Sequence, residues 1–242
     1  MSRFIDKLKQ ASQSEPQPMG FRKEKAVSRP RLLLVAEVKA GAAAGVTEGA
    51  DAVLLFGEAK KPAVKTDLPV GVKLFGSKAG RLAGVDFVIL MPEMPVIMVE
   101  DEKTGKVMAV EASLETGLLR SLEDLPLDAL FITGDGVQAQ TVTWQYLMLC
   151  KRFAALSSKP VLAAVSPQIS TDELQMMWDV GVDGVVAIAK AAGDIKKLRS
   201  LIDSLTPPSK GKRVKARAIV PQLKESAAPV VEEDEEDEEE EE

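Results

Sequence analysis

The chain has 242 residues, 45 % of them apolar but only 4 % aromatic, which suffices for one sizeable core built from Val, Leu, Ala and Ile and leans towards an α/β arrangement. The net charge of −6 hides two unlike parts, because Glu232 to Glu242 are all acidic and without those eleven residues 26 acidic side chains face 31 basic ones, a body of net +5. With no histidine and one cysteine the sequence excludes Ser-His triads, most zinc sites and a disulfide framework, so no metal and no cofactor is expected and proton chemistry falls to Lys, Glu, Asp or Tyr.

Residues 1–29 read as a mobile or loosely docked arm. It holds a short helix with Phe4, Ile5 and Leu8 on one face, then a Pro/Gln/Ser stretch from Ser12 to Met19. Met1 to Gln10 carries Arg3, Asp6, Lys7 and Lys9 and lacks the apolar centre of a signal peptide. No run in the chain approaches the roughly 18 apolar residues of a membrane span. A cytoplasmic protein without membrane contact is expected.

Between 30 and 206 eight short apolar runs recur: Leu32–Ala36, Ala52–Phe56, Val70–Phe75, Val85–Leu90, Val107–Val110, Ala129–Thr133, Val161–Val165 and Gly184–Ile188. Continuous Val/Leu/Ile runs of this length are the pattern of parallel strands buried on both faces. Three are introduced by a similar phrase, Gly49-Ala50-Asp51, Gly84-Val85-Asp86 and Gly181-Val182-Asp183, as expected where a glycine ends a helix and a strand follows at once.

The connections are unequal. Glycine and alanine fill Gly41 to Gly45, Gly57 to Pro69 is too Pro/Lys-rich for a good helix, and Glu100 to Lys106, with Thr104-Gly105, reads as a hairpin turn. Later helices are well marked: Thr141 to Leu156, with Cys150 as a buried small hydrophobe, the segment after the Ser170-x-x-Glu173 capping box, and Asp194 to Leu205 with Asp194 as N-cap. Eight strands with at least three crossover helices favour a (β/α)8 TIM-type barrel over a doubly wound open sheet, whose Gly-rich dinucleotide fingerprint is missing. The 177 residues from Pro30 to Thr206 are few for a fold that usually takes about 250, so outer helices must be short or missing. The outer face of strands two to four is then thinly covered, a place for a second copy or another protein.

Active sites of such barrels lie where strands end. Glu37 and Lys39 close the first strand on one side, Lys73 closes the third and Glu111 the fifth. Charges inside apolar strands are costly unless paired or in use. Two lysines and two glutamates converging on a barrel mouth can bind a small anionic metabolite, with lysine as general acid and a carboxylate as base. A structural ion-pair network and a Schiff-base aldolase, in which a strand lysine condenses with a carbonyl, stay open on the residues alone.

Ala36-Glu37-Val38-Lys39-Ala40 resembles the Ala-Glu-x-Lys first strand of indole-3-glycerol-phosphate synthases, within the ribulose-phosphate-binding barrels. Pro69-Val70-Gly71-Val72-Lys73-Leu74-Phe75 is similar to that family's third strand, Val110-Glu111 to its fifth, Ser166 with Ile169-Ser170-Thr171 to its Glu-Ser-Gly-Ile-Ser-Thr turn, and Gly181-Val182-Asp183-Gly184-Val185 to its eighth strand. The resemblance implies a carbon–carbon lyase that closes an indole ring with loss of water and carbon dioxide. It implies Lys73 as general acid, Glu111 as acid–base partner, Glu37 as active-site carboxylate, and Lys39 and Ser166 as substrate binders. The sequence departs from the pattern at Ala40-Gly41-Ala42-Ala43, at Thr133 in place of asparagine, at Val165 in place of glutamate, and at Ile188 in place of the glycine that cradles phosphate. Kept catalytic types with lost binding groups fit a changed substrate or a barrel that no longer catalyses and serves as an interaction module.

The tail, 207–242, runs from a basic cluster, Lys210 to Arg217, into the acidic block and reads as disordered and solubilising. Five basic residues without interleaved aromatics make a weak nucleic-acid signal.

Overall fold

The computed structural model describes residues 2–12, 31–39, 44–56, 66–74, 84–96, 103–111, 113–133, 141–189, 191 and 193–206. The Pro/Gln/Ser stretch after Ser12, the loop after Lys39, most of Gly57 to Pro69, Phe75 and the charged tail lie outside them.

Eight parallel strands close into a ring in sequence order: β1 (Leu33–Lys39), β2 (Ala52–Phe56), β3 (Val70–Lys73), β4 (Phe87–Leu90), β5 (Gly105–Val110), β6 (Ala129–Ile132), β7 (Val161–Val165) and β8 (Gly184–Ile188), with β8 pairing back onto β1. The expected runs match these strands to within two or three residues at each end. The hairpin expected at Thr104-Gly105 is not formed: β5 begins at Gly105 and pairs in parallel with β4, so the chain crosses over between them.

The core divides by strand parity. Leu33, Val35, Ala52, Leu54, Phe87, Ile89, Val107, Ala109, Ala129, Phe131, Leu162, Ala164 and Val186 fill the barrel interior. The opposite parity of β1 and β5–β8 packs beneath four helices, α2 (Thr116–Ser121), α3 (Trp144–Leu156), α4 (Thr171–Val180) and α5 (Asp194–Asp203). Among the described residues no α-helix stands between β1 and β5, only a 3₁₀ turn at Ala44–Thr47. The outward residues of β2–β4 are nevertheless buried, Val53, Leu55 and Val88 fully so. The expected exposed apolar face is therefore absent at these positions. Among the described residues the large exposed apolar side chains are Val96 after β4, Leu118 on α2, Leu125 after it, Trp144 and Met148 on α3, and Met176 on α4.

Cys150 sits fully buried in α3, and burial pushes its thiol up to about 12, an unreactive state. The Ser170/Glu173 capping box opens α4, and Gly181, at a φ of +108°, closes it. At α5 the cap is Gly193 and not Asp194, which is the first helical residue and accepts a hydrogen bond from Ala191 N–H at 2.8 Å.

The N-terminal segment departs furthest from expectation. A further helix, α1 (Arg3–Ser12), is no loose arm: Phe4, Ile5 and Leu8 are buried in the barrel interior at the end where the strands begin. Phe4 stacks on Phe87 with ring centroids 4.4 Å apart. Two aspartates hold the helix. The Asp86 carboxylate accepts from Ser2 Oγ at 2.7 Å and from the N–H groups of Arg3 and Phe4 at 2.9 Å, and Lys9 Nζ donates to Asp128 at 2.8 Å.

Those aspartates belong to a set. Asp51, Asp86, Asp128 and Asp183 each immediately precede an even-numbered strand, or its first residue, and donate a backbone N–H to the strand before: to Leu34, Val70, Lys106 and Val161 O respectively, all at 2.8 Å. In three of the four the carboxylate completes a clasp by accepting the N–H of the same residue, Leu34, Lys106 or Val161, at 2.9–3.0 Å. At Asp86 the carboxylate is turned to α1 instead. Two of the three Gly-x-Asp phrases, at Asp51 and Asp183, thus mark a backbone clasp between paired strands, and Asp128, in Pro126-Leu127-Asp128, makes the same clasp without the glycine.

Candidate functional site

Strand parity carries the interior pattern to the other end of the barrel. On β1 the inward residues run Leu33, Val35, Glu37, with Lys39 one step beyond; on β3 they run Gly71, Lys73. Extending β5, β6, β7 and β8 by the same count places Glu111, Thr133, Ser166 and Ile188 on the inner side at the strand ends. All these residues lie at the C-terminal rim, opposite the end that α1 fills.

Glu37 pairs in register with Leu54 of β2 and Ile188 of β8, so its carboxyl is flanked by apolar side chains. Burial pushes Glu37 above the ordinary carboxylate range, and the charge of Lys73 offsets part of that shift. Lys73, half-buried, extends inward until Nζ lies 5.8 Å from the ring centroid of Phe131 on β6. The glycine two residues earlier, Gly71, leaves the inner face of β3 below Lys73 to the ring of Phe87.

The other expected residues are placed less deeply. Glu111 and Lys39 are exposed at the rim, and Ser166 is half-buried in the turn between β7 and α4, where its Oγ accepts from Gln168 N–H at 3.3 Å. Thr133 donates its hydroxyl to Val110 O at 3.2 Å, tying the end of β6 to β5. Glu37 and Lys73 are thus brought into electrostatic contact, whereas Glu111, Lys39 and Ser166 share the rim without a direct contact to that pair among the described interactions. Reading the residues missed Phe131, the platform beneath Lys73; counting back by two from Thr133 would have found it on the inner face.

No family model matches the sequence, and no curated protein matches it. Solved structures do. Several mutant forms of the tryptophan synthase alpha-subunit from the hyperthermophile Pyrococcus furiosus superpose with TM-scores of 0.55 and 0.56 at 13 % and 12 % identity, over 72 % of this chain and 97 % of theirs. The chain is a TIM barrel. At that identity the likeness establishes the fold and nothing finer. In TIM barrels the rim formed by the C-terminal strand ends carries the chemistry, and it is this rim that holds Glu37 and Lys73.

Chemically, the pair joins a carboxyl that burial biases towards its protonated, neutral form with an ammonium group over an aromatic face. Such a pair can donate hydrogen bonds or a proton to a substrate oxygen from two directions. Among the described residues no group of three or more His, Cys, Asp or Glu side chains is placed to hold a metal ion, and no helix is long and apolar enough to cross a membrane.

Proposed function

We propose that the rim is an acid–base site acting on a small anionic, carbonyl- or hydroxyl-bearing metabolite as a lyase or isomerase, in a divergent ribulose-phosphate-binding barrel. One observation carries the reading: Glu37 and Lys73, two ionisable groups set in apolar strands, face the same interior and act on each other electrostatically. A buried charge is retained at a cost when it is in use. In this reading Lys73 is the general acid at a substrate oxygen, and Glu111 is the acid–base partner that takes a proton from the neighbouring carbon. Glu37 holds a proton beside Lys73, and Lys39 and Ser166 bind the substrate. The first-strand and third-strand resemblance to indole-3-glycerol-phosphate synthases supports the lysine and glutamate roles, while Val165 and Ile188 argue for a different substrate from theirs.

Thermal-shift screening of the full chain against phosphorylated sugars, anthranilate-pathway intermediates and small carboxylates tests this, with Lys73→Ala as control. Stabilisation of the wild type that the variant loses supports the site. No ligand effect, together with a stable dimer or hetero-complex, overturns it in favour of a non-catalytic interaction module.

A further inference from the structure

The end of the barrel opposite the rim carries a fourfold pattern with one exception. In each odd–even strand pair the register is the same: Val35 lies opposite Ala52, Gly71 opposite Phe87, Val107 opposite Ala129 and Leu162 opposite Gly184. An aspartate precedes the second member of each couple. Its N–H donates at 2.8 Å to the carbonyl of the residue that precedes the first member, Leu34, Val70, Lys106 or Val161. The backbone half of the clasp is therefore built alike in all four pairs.

Three carboxylates finish the clasp by accepting the N–H of that same residue. The backbone of Asp86 is placed towards Val70 as the other three are towards their partners, yet its oxygens take Ser2 Oγ and the N–H groups of Arg3 and Phe4. Among the described interactions none joins Asp86 to Val70 N–H. What sets Asp86 apart is thus the direction of one side chain, and a change of rotamer needs no movement of the strands.

The polar ties of α1 are ones that its departure leaves satisfied. Asp86 serves the first N–H groups of the helix as an N-cap residue would. Asp128 holds Lys106 N–H with one oxygen and Lys9 with the other, so losing Lys9 does not open that clasp. The side chains of that ion pair are 41 % and 30 % exposed, and Arg3, 4.0 Å from Asp86, is 67 % exposed; such pairs add little. The remaining hold is apolar: Phe4 and Leu8, fully buried, and Ile5 against Gly105. Residues 13–30 join α1 to the chain before β1, so a released helix stays tethered.

We infer that α1 is a releasable plug with Asp86 as its latch: when α1 leaves, the Asp86 carboxylate turns to Val70 N–H and completes the fourth clasp. The ring of strands then stays closed while its N-terminal end opens and the ring of Phe87 is uncovered.

Native-state hydrogen exchange on the full chain, read at single amides by NMR at low denaturant concentrations, is the first test. The amides of α1 should exchange through an opening at least about tenfold more frequent than the one that exposes Val88 and Ile89 in β4, and with a smaller denaturant dependence. Equal frequencies and equal denaturant dependence would mean that α1 leaves only when the whole barrel unfolds, and the plug would not be releasable. The second test is Phe4→Asp/Leu8→Asp, which prevents α1 from burying its face but leaves the released state untouched. Its β4 amides should stay protected while those of α1 lose protection. Its Val70 amide proton should move downfield, as on gaining a bond to a carboxylate, and adding Asp86→Ala should abolish that shift. If the double variant unfolds altogether, the barrel does not stand without its plug and the inference is wrong. A standing barrel whose Val70 amide is indifferent to Asp86 would rule out the latch.

Discussion

The ring of Phe87 occupies the space that a side chain on Gly71 would fill. A methyl group there would come within 2.3 Å of two ring carbons, and the same ring stacks on Phe4 from below. Gly71 therefore sets the depth of the interior beneath Lys73. Gly71→Ala forces Phe87 or β3 to move in a packed interior and should cost about 1–3 kcal/mol in denaturant unfolding. In the same variant Lys73-dependent ligand stabilisation should weaken, because β3 carries both residues. An unfolding midpoint equal to wild type would show that Phe87 has room to withdraw.

Glu37 gives stability a pH dependence of defined sign. Its folded-state affinity for a proton is raised above the ordinary value of 4.5, so the folded chain binds more protons than the unfolded one above that pH. Protonated Glu37 favours the fold, and stability falls as pH rises from about 4.5 through the raised value. Glu37→Gln, which cannot ionise, should be more stable than wild type at neutral pH, with the gain shrinking as pH falls towards 4.5. Chemical unfolding across this range checks it; a gain that is constant with pH would show that ionisation of Glu37 is not its source.

The α1 plug separates packing from charge. Removing the fully buried ring in Phe4→Ala should cost about 3–5 kcal/mol, since it opens a cavity beside Phe87. Asp128→Asn keeps an oxygen for Lys106 N–H but loses the half-exposed pair with Lys9, and should cost only about 0.2–1 kcal/mol. Burial raises Asp128, but the bonds from Lys9 and Lys106 and the charges of Lys9 and Lys159 outweigh it and hold the carboxyl below its ordinary 3.8. The stability it adds is present above that pH and lost as pH falls through the depressed value, so the deficit of Asp128→Asn should vanish in acid. Equal deficits for the two variants at neutral pH would contradict this division.

Much of the barrel was legible because buried parallel strands leave an unbroken apolar signature: Ala52–Phe56, Val161–Val165 and Gly184–Ile188 are read to the residue. Period two then delivers Glu37 and Lys73 to one interior without any tertiary information. Features that depend on distant partners were not legible. The face formed by Phe4, Ile5 and Leu8 announces a helix but not the barrel end it closes, and Asp51, Asp128 and Asp183 look like turn residues until the strand each one clasps is known. Thr104-Gly105 carries the chemistry of a tight turn, yet the glycine is there for α1, since a methyl group on Gly105 would lie 2.4 Å from the side chain of Ile5. At the rim, Phe131 hid among ordinary core residues because its distinction lies only in what stands above it.

The plug also orders assembly in time. Phe4 N–H finds its acceptor 82 positions further along the chain and Lys9 finds its own 119 positions further, so α1 is made long before the surfaces that hold it exist. A ten-residue helix has little stability by itself in water. It must wait, unstructured and with its apolar face unprotected, until β4, β5 and β6 have been laid side by side. This helix thereby gains its docking surface only after strands made later than it, and the interior is sealed from below only when those strands are in place.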